Sequence, residues 1–447
     1  MTDYAFPDDL ARQIIKRWPT FSGRKSVAPP LPAPADLRHI LATAFFASLE
    51  REEGRPLRFV LCCSPDLDVV RDGFGETVPV VPLAVPRPVT VESIRSLAPA
   101  VSPSNAAMLI RFPKEGGGPA HCEIAGVLHV GEHVALARSG RSFYYRPAPY
   151  ALTIEVLEAG ELHVYQGGTK LVSMKAGRLH DLTPYSALEF LPISGILMSG
   201  EHVLRSRIVT PDHEPTRETS DFEWTALLNT VLCIVNGIRV HGHGGTLLLT
   251  APGAEAALPV RAKFQVGHHE SLLGERFLEF LNTRHLLTEA RLHQGVLVSG
   301  SGAAASDMPI ETTLAHLQNA AFGAEENLAD AAEVVAGLTA IDGALVLTSD
   351  LRVPGFGAEI VLDAALPVIA QEVVGHAASS AAWPAVDSES FGMRHRSALR
   401  CVGVTDHTAA FVVSQDGQVS LFWKQDGRVL LKRNVNTANP NMIGARP

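Results

Sequence analysis

Between Ala107 and Lys175 the chain breaks into short apolar or alternating runs, AMLIRF, CEIAGVLHV, ALTIEVLEAG, ELHVYQ and TKLVSM, separated by glycine-containing turns. A helix needs apolar positions three and four apart over ten or more residues, whereas runs of this length and alternation suit antiparallel strands. The feature excludes an all-helical protein and predicts a β-rich module from Ala107 to about Leu204.

Upstream, the stretch TFSGRKSVAPPLPAPAD (residues 20–36) is too rich in proline and small residues for a regular helix and reads as an extended linker. Residues 1–35 are therefore a short helix and linker, and folding starts near Asp36. Leu37 to Glu53 has helical spacing, Leu57 to Cys63 is strand-like, the proline-rich VPVVPLAVPRP follows, and a short helical pattern surrounds Val91 to Leu97. That small α/β unit and the β-rich module make a first domain over 36–205.

The polar stretch RSRIVTPDHEPTRETS, from Arg205 to Ser220, suits an interdomain connection. A second domain is expected over 218–434, with 435–447 as a tail. Asp221 to Asn236 reads as an apolar helix, and His241-Gly242-His243-Gly244-Gly245 turns the chain into a buried-type strand, Thr246 to Thr250. Helical patterns at Glu270 to Arg291, Met308 to Ala320 and Asn327 to Leu338 alternate with strand candidates at Gly343 to Thr348, Ala398 to Gly403, Ala409 to Ser414 and Val419 to Trp423. The fold class is α/β, with a C-terminal mixed sheet flanked by helices.

A balance of 38 basic against 47 acidic residues gives a net charge of −9, with no global basic field for nucleic acid. No apolar run reaches the roughly 18 to 20 residues of a spanning helix, and acidic residues stand in the opening MTDYAFPDDLARQ where a signal peptide carries basic and then apolar ones. A cytoplasmic protein without a membrane partner is expected. The cysteines (Cys62, Cys63, Cys122, Cys233 and Cys401) are odd in number and lack CxxC spacing, so reduced, buried thiols are expected.

Two segments carry most of the chemistry: Ile341-Asp342-Gly343-Ala344, opening a strand, and Gly392-Met393-Arg394-His395-Arg396-Ser397-Ala398, after a proline-containing loop. An aspartate before a Gly-Ala step suits a divalent cation, and the small residues let a ligand approach the backbone. Two arginines flanking a histidine offer bidentate donors to phosphate oxygens. A nucleotide polyphosphate fits the pair.

In order, Asp342-Gly343-Ala344, Arg394-His395-Arg396, Thr405-Asp406, Phe411-Val412-Val413-Ser414 and the strand Gln418 to Phe422 resemble the catalytic domain of the diadenylate cyclases. His243-Gly244-Gly245-Thr246-Leu247-Leu248-Leu249 is similar to that family's first strand, which extends the resemblance over about Asp221 to Asn434. It implies condensation of two ATP into cyclic di-AMP with release of pyrophosphate, between two catalytic domains set face to face in a homo-oligomer. By the same resemblance Asp342 serves Mg²⁺ or Mn²⁺ and the 3′-hydroxyl, with Asp416 as a second metal candidate. Gly343 and Ala344 would give close backbone contact, Arg394 and Arg396 would bind phosphates, and His395 would orient the turn or a phosphate. Gly392, Met393, Ser397, Ser414 and Gly417 would complete the nucleotide site. The N-terminal half then reads as a sensor region of the DACNV type fused to such catalytic domains, with its ligand unread.

Ile341, Met393 and Gln415 stand where relatives carry histidine, threonine and glutamate. A second reading, a nucleotide receptor with little or no turnover, rests on those three positions. His241, His243, His268 and His269 read as loop imidazoles rather than a zinc site, because HxH lacks a third ligand at a set spacing. Gly355-Phe356-Gly357-Ala358-Glu359 reads as a strand-to-strand turn, and Ser299 to Ser306 as a flexible connection.

Overall fold

The computed structural model describes residues 4–18, 29–65, 70–72, 77–113, 121–141, 148–181, 187–207, 217–267, 271–300, 308–362, 370–373 and 383–437. These fall into two compact units that divide near residue 184, so residues 187–205, read above with the first domain, cluster with the second.

In the first unit α1 (Pro7–Arg17) and α2 (Pro34–Ser48) precede a two-residue hairpin, β1 (Arg51–Glu52) and β2 (Arg55–Pro56). Then come β3 (Phe59–Ser64), β4 (Val80–Pro88), α3 (Val91–Leu97), β5 (Ala106–Arg111), β6 (Glu123–His129) and α4 (Glu132–Arg138). The meander β7 (Leu152–Glu158), β8 (Glu161–Gln166), β9 (Thr169–Lys175) and β10 (Arg178–Asp181) completes the unit. The α/β and β-rich parts, expected in one domain, share one eight-stranded sheet, β10-β9-β8-β7-β3-β5-β6-β4. Only β3 and β5 in it are parallel; the other neighbours are antiparallel.

The joint is β3, buried at every residue, whose alternating side chains serve two cores. Leu61 and Cys63 join Met108 and Ile154 under Leu10, Ile14, Leu37 and Ile40 of the first two helices. Val60 and Cys62 join Leu109 and Leu128 under Val134 of α4. The adjacent cysteines thus face opposite sides of the sheet as buried free thiols. The proline-rich VPVVPLAVPRP, left between elements by the sequence reading, forms β4, which among the described residues pairs with β6 alone, at the sheet edge. An edge tolerates prolines because their missing N–H groups break no ladder.

The second unit contains α5 (Ser194–Arg205), α6 (Arg217–His241), β11 (Gly245–Thr250), β12 (Val260–Gln265), α7 (Leu272–Gly300) and α8 (Met308–Gly337). It continues with β13 (Ala344–Thr348), β14 (Gly355–Ile360), β15 (Ala370–Glu372), α9 (Met393–Val404), β16 (Thr408–Val413), β17 (Val419–Gln425) and β18 (Arg428–Lys432). Its sheet order is β12-β14-β13-β11-β16-β17-β18-β15, mixed, with β11–β13 and β15–β18 parallel. Ala398, Leu399, Cys401 and Val402 of α9 pack on Leu248, Val346, Ala410, Val412 and Phe422. Gly245, on the same side of β11 as Leu247, faces Ile238 of α6, so the two helices cover opposite faces.

Four expectations are corrected. Ala398 to Gly403 is helix, because its buried residues recur at helical spacing and all reach one core. Met308 to Leu338 is one helix to Gly337, since a single glycine (Gly323, in open space) costs a helix about 1 kcal/mol and does not end it. Gly355 to Glu359 is strand β14, paired on both sides, and Arg428–Lys432 is an unforeseen strand. Helix α7 runs to Gly300, so Ser299 and Gly300 end a helix, while residues 301–306 lie outside the described residues. No helix among the described residues is long and apolar enough to cross a membrane.

Candidate functional site

Strand pairing brings three distant segments to one end of the second sheet. Parallel β11 and β13 place Thr246 beside Ala344, and antiparallel β16 places Val413 beside Gly245. The residues just before β11 and β13 (His243-Gly244 and Asp342-Gly343) and just after β16 (Ser414) therefore share that end. The β16–β17 turn is closed by Ser414 N donating to Gln418 O at 2.9 Å and Gly417 N donating to Ser414 O at 2.9 Å.

Two glycines are required by close approach. At Gly343, with φ +127°, an added Cβ would lie 2.4 Å from the Gly357 carbonyl carbon and 2.7 Å from the Ala358 nitrogen. At Gly244, with φ +68°, it would lie 2.7 Å from the Val413 oxygen and 2.9 Å from Arg394 Nη1. No L side chain fits either position without displacement. The space at Gly244 is taken by Arg394, whose Nη1 donates to the His243 carbonyl at 3.2 Å. Lys263 of β12 donates from Nζ to the Asp342 carbonyl at 2.9 Å, leaving the exposed Asp342 carboxylate to solvent.

Helix α9 starts at Met393, with Gly392 as its N-cap and no capping side chain. Its first amides and the helix dipole favour an anion beside Arg394. Met393 is 76% exposed, and Ser397 is half-buried on the same helix.

The Arg-His-Arg motif itself splits three ways. Arg394 reaches the glycine loop, whereas Arg396 Nη1 meets Glu389 Oε2 at 3.0 Å, and Arg400 shares the same carboxylate at 3.2 Å. His395 stacks on Phe391 at 5.7 Å and meets the edge of Phe422 at 5.9 Å, with the Arg433 guanidinium 5.0 Å over Phe391. Burial, then the charge of Arg433, pushes the His395 pKa below its usual value, opposed by Asp416. The imidazole is thus held towards its neutral form.

Asp342, Gly343, Ala344, Arg394, Ser414 and Gly417 therefore gather at one sheet end, while Arg396 points to Glu389. Asp416 is exposed in the turn, its Oδ1 accepting from Gln418 N at 3.3 Å. The described residues contain no group of three or more metal-ligating side chains. His241 meets Glu333 at 3.0 Å and His243 Nδ1 meets the Gly244 carbonyl at 2.8 Å, while His268 and His269 lie outside the described residues.

Sequence reasoning missed Lys263, Glu389 and Phe391, and it read Arg433 with Lys424, Arg428 and Lys432 as a basic, solvated face rather than as the partner of Phe391. Glu389 had a usable signal, an acid seven residues before Arg396 and eleven before Arg400. Lys263 had none, because its role depends on β12 reaching the sheet beyond β14.

Comparison with known proteins bears on the first unit. Residues 26–129, from before α2 to the end of β6, match the family model described as "Probable sensor domain DACNV". The likeness is to a sensor. The DACNV-like region covers the half of the first sheet that carries β3 to β6, and the β7–β10 meander lies outside it. No curated protein and no solved structure matches the chain.

Proposed function

We propose that the second unit is a diadenylate cyclase, acting in the cytoplasm on ATP, with the DACNV-like region of the first unit as its regulator. The observation that carries this reading is the meeting of Asp342-Gly343, Gly244, Arg394 and Ser414 at one sheet end, since these come from the motifs that resemble the cyclase family.

In the proposed reaction each 3′-oxygen bonds to the α-phosphorus of the other nucleotide. The bond from that phosphorus to pyrophosphate breaks, and two pyrophosphates and two protons leave. Such transfer depends on positioning and charge neutralisation rather than covalent help. Arg394 and the first amides of α9 would hold phosphate oxygens, Gly343 and Gly244 let β14 and Arg394 close against the loops that carry the site, and the Asp342 carboxylate would orient the 3′-hydroxyl and accept its proton. One exposed carboxylate is not a metal cage, but it fits Mg²⁺ or Mn²⁺ carried in by a triphosphate, because magnesium commonly takes one or two protein carboxylates plus phosphate oxygens. The metal, held by Asp342, would neutralise charge on the leaving pyrophosphate. Each second unit supplies one such set of residues, so the reaction would need two chains facing one another.

A receptor that binds nucleotide without turnover is the second reading. It is favoured by the pairing of Arg396 and Arg400 with Glu389 and by Ile341, Met393 and Gln415. Incubation of the full chain with ATP and Mn²⁺ or Mg²⁺, read by mass spectrometry, separates the two. Cyclic di-AMP from the wild type and none from Asp342→Asn, with ATP binding kept, is the expected result. ATP binding without product would establish the receptor instead.

A further inference from the structure

On the α4 side of the first sheet, two cross-strand rows run through β3, β7, β8 and β9. One reads Val60, Glu155, His163, Ser173 and the other Cys62, Thr153, Tyr165, Lys170. Where β3, β5 and β6 carry an apolar core on this side, β7 to β9 carry polar and charged groups that are largely buried.

Arg138, the last residue of α4, is set among them with its side chain only 2% exposed. Its guanidinium carbon lies 5.3 Å over the Tyr165 ring, and its nearest carboxylate oxygen, Glu155 Oε1, is 3.9 Å from Nη1. That is too long for a hydrogen bond. Glu155 is turned instead to the Tyr165 hydroxyl, which donates to Oε2 at 2.8 Å. Among the described residues, Nε, Nη1 and Nη2 of Arg138 are all buried without a hydrogen-bond partner, as is Nδ1 of His163.

Leaving a buried guanidinium's donors unmade is costly, and natural folds supply partners for such groups. Lys170 (Nζ 6.0 Å from the Tyr165 ring centre), Lys175, Glu155 and Glu161 are the other charged side chains described on this face. His163, bonded to Glu161 at 2.9 Å, is held towards its neutral form by burial and then by Lys170, against the pull of Glu161 and Glu155.

We infer that Arg138 is the anchor of a binding site for a compact oxyanion, a carboxylate or an inorganic oxoanion, inside the first unit. A planar guanidinium matches two acceptor oxygens of such a group in parallel, and the Tyr165 ring forms the floor on which it lies. All of this except Val60 and Cys62 of β3 lies outside residues 26–129, so the proposed site sits on α4 and the β7–β9 strands that follow the DACNV-like region. The inference concerns binding alone and stands whatever the second unit catalyses.

The test is a titration of the full-length protein with sodium acetate and, separately, sodium phosphate, against sodium chloride at constant ionic strength, read as thermal shift. A saturable rise with one or both oxyanions beyond chloride is expected, and which salt acts identifies the source. Arg138→Gln should abolish it. Glu155→Gln keeps an acceptor for Tyr165 but removes the competing charge, so it should tighten binding by about tenfold or more. No saturable response in the wild type, a response unchanged in Arg138→Gln, or weaker binding in Glu155→Gln would each overturn the proposal. If Arg138→Gln does not fold, the wild-type titration and the sign of the Glu155→Gln effect still decide it.

Discussion

Gly343→Ala isolates the backbone contact on which the candidate site rests. The residue has φ +127°, and an added Cβ would lie 2.4 to 2.8 Å from the Gly357 and Ala358 backbone, where no rotamer change relieves the overlap. Two costs add: about 1–3 kcal/mol for the backbone conformation and about 1–3 kcal/mol for forcing β13 and β14 apart. The total, about 2–6 kcal/mol, is a large part of a stability of about 5–15 kcal/mol. Gly242→Ala is the control, because Gly242 has φ +76° but open space around it, so only the conformational cost of about 1–2 kcal/mol remains. Urea denaturation followed by hydrogen exchange of peptides from β13 and β14 reads the second unit separately from the first. The difference between the variants should be about 1–4 kcal/mol and should appear first in those two strands. If Gly343→Ala costs no more than Gly242→Ala, the strands do not approach as described and the placement of Asp342 falls with them.

The arginines of the Arg-His-Arg motif should separate. Arg394→Ala should weaken ATP binding by roughly 10- to 100-fold, the worth of a charge-assisted hydrogen bond to phosphate, as measured by calorimetry. Arg396→Ala should change it far less, because Arg396 already meets Glu389; equal losses would refute the division. His395 predicts a pH dependence. Its folded pKa is lowered, so the unfolded chain binds more protons in the window below its usual value of about 6.5, and stability falls there as pH is lowered. His395→Phe should retain more of its stability on acidification through that window; identical acid profiles in urea melts would show that the ring titrates as it does in water.

How much could be read in advance differs between the units for a physical reason. Strands β5 to β9 of the first unit announce themselves because turns bound them and their alternation is local, and helix Val91–Leu97 carries its own cap in Thr90. Helix α9 was misread because SALRCVGV is short and apolar, a pattern that suits a buried strand as well as one helix face. The motifs pointed to Asp342, Gly343 and Arg394, but their meeting depends on β11 and β13 being parallel neighbours, which no local pattern encodes. The pairing of Arg396 with Glu389 and the burial of Arg138 over Tyr165 are set by tertiary contacts in the same way.

Strand β4 carries Pro82, Pro86 and Pro88 at one border of the first sheet, and β10, with four residues, is the other border. A strand approaching β4 from outside would find no N–H donor at three of its nine positions. The ladder is therefore closed to further growth on that side. Two copies of this protein at high concentration have little means of zipping together through β4, and whatever brings chains into register must use side chains, the short β10 border or the second sheet.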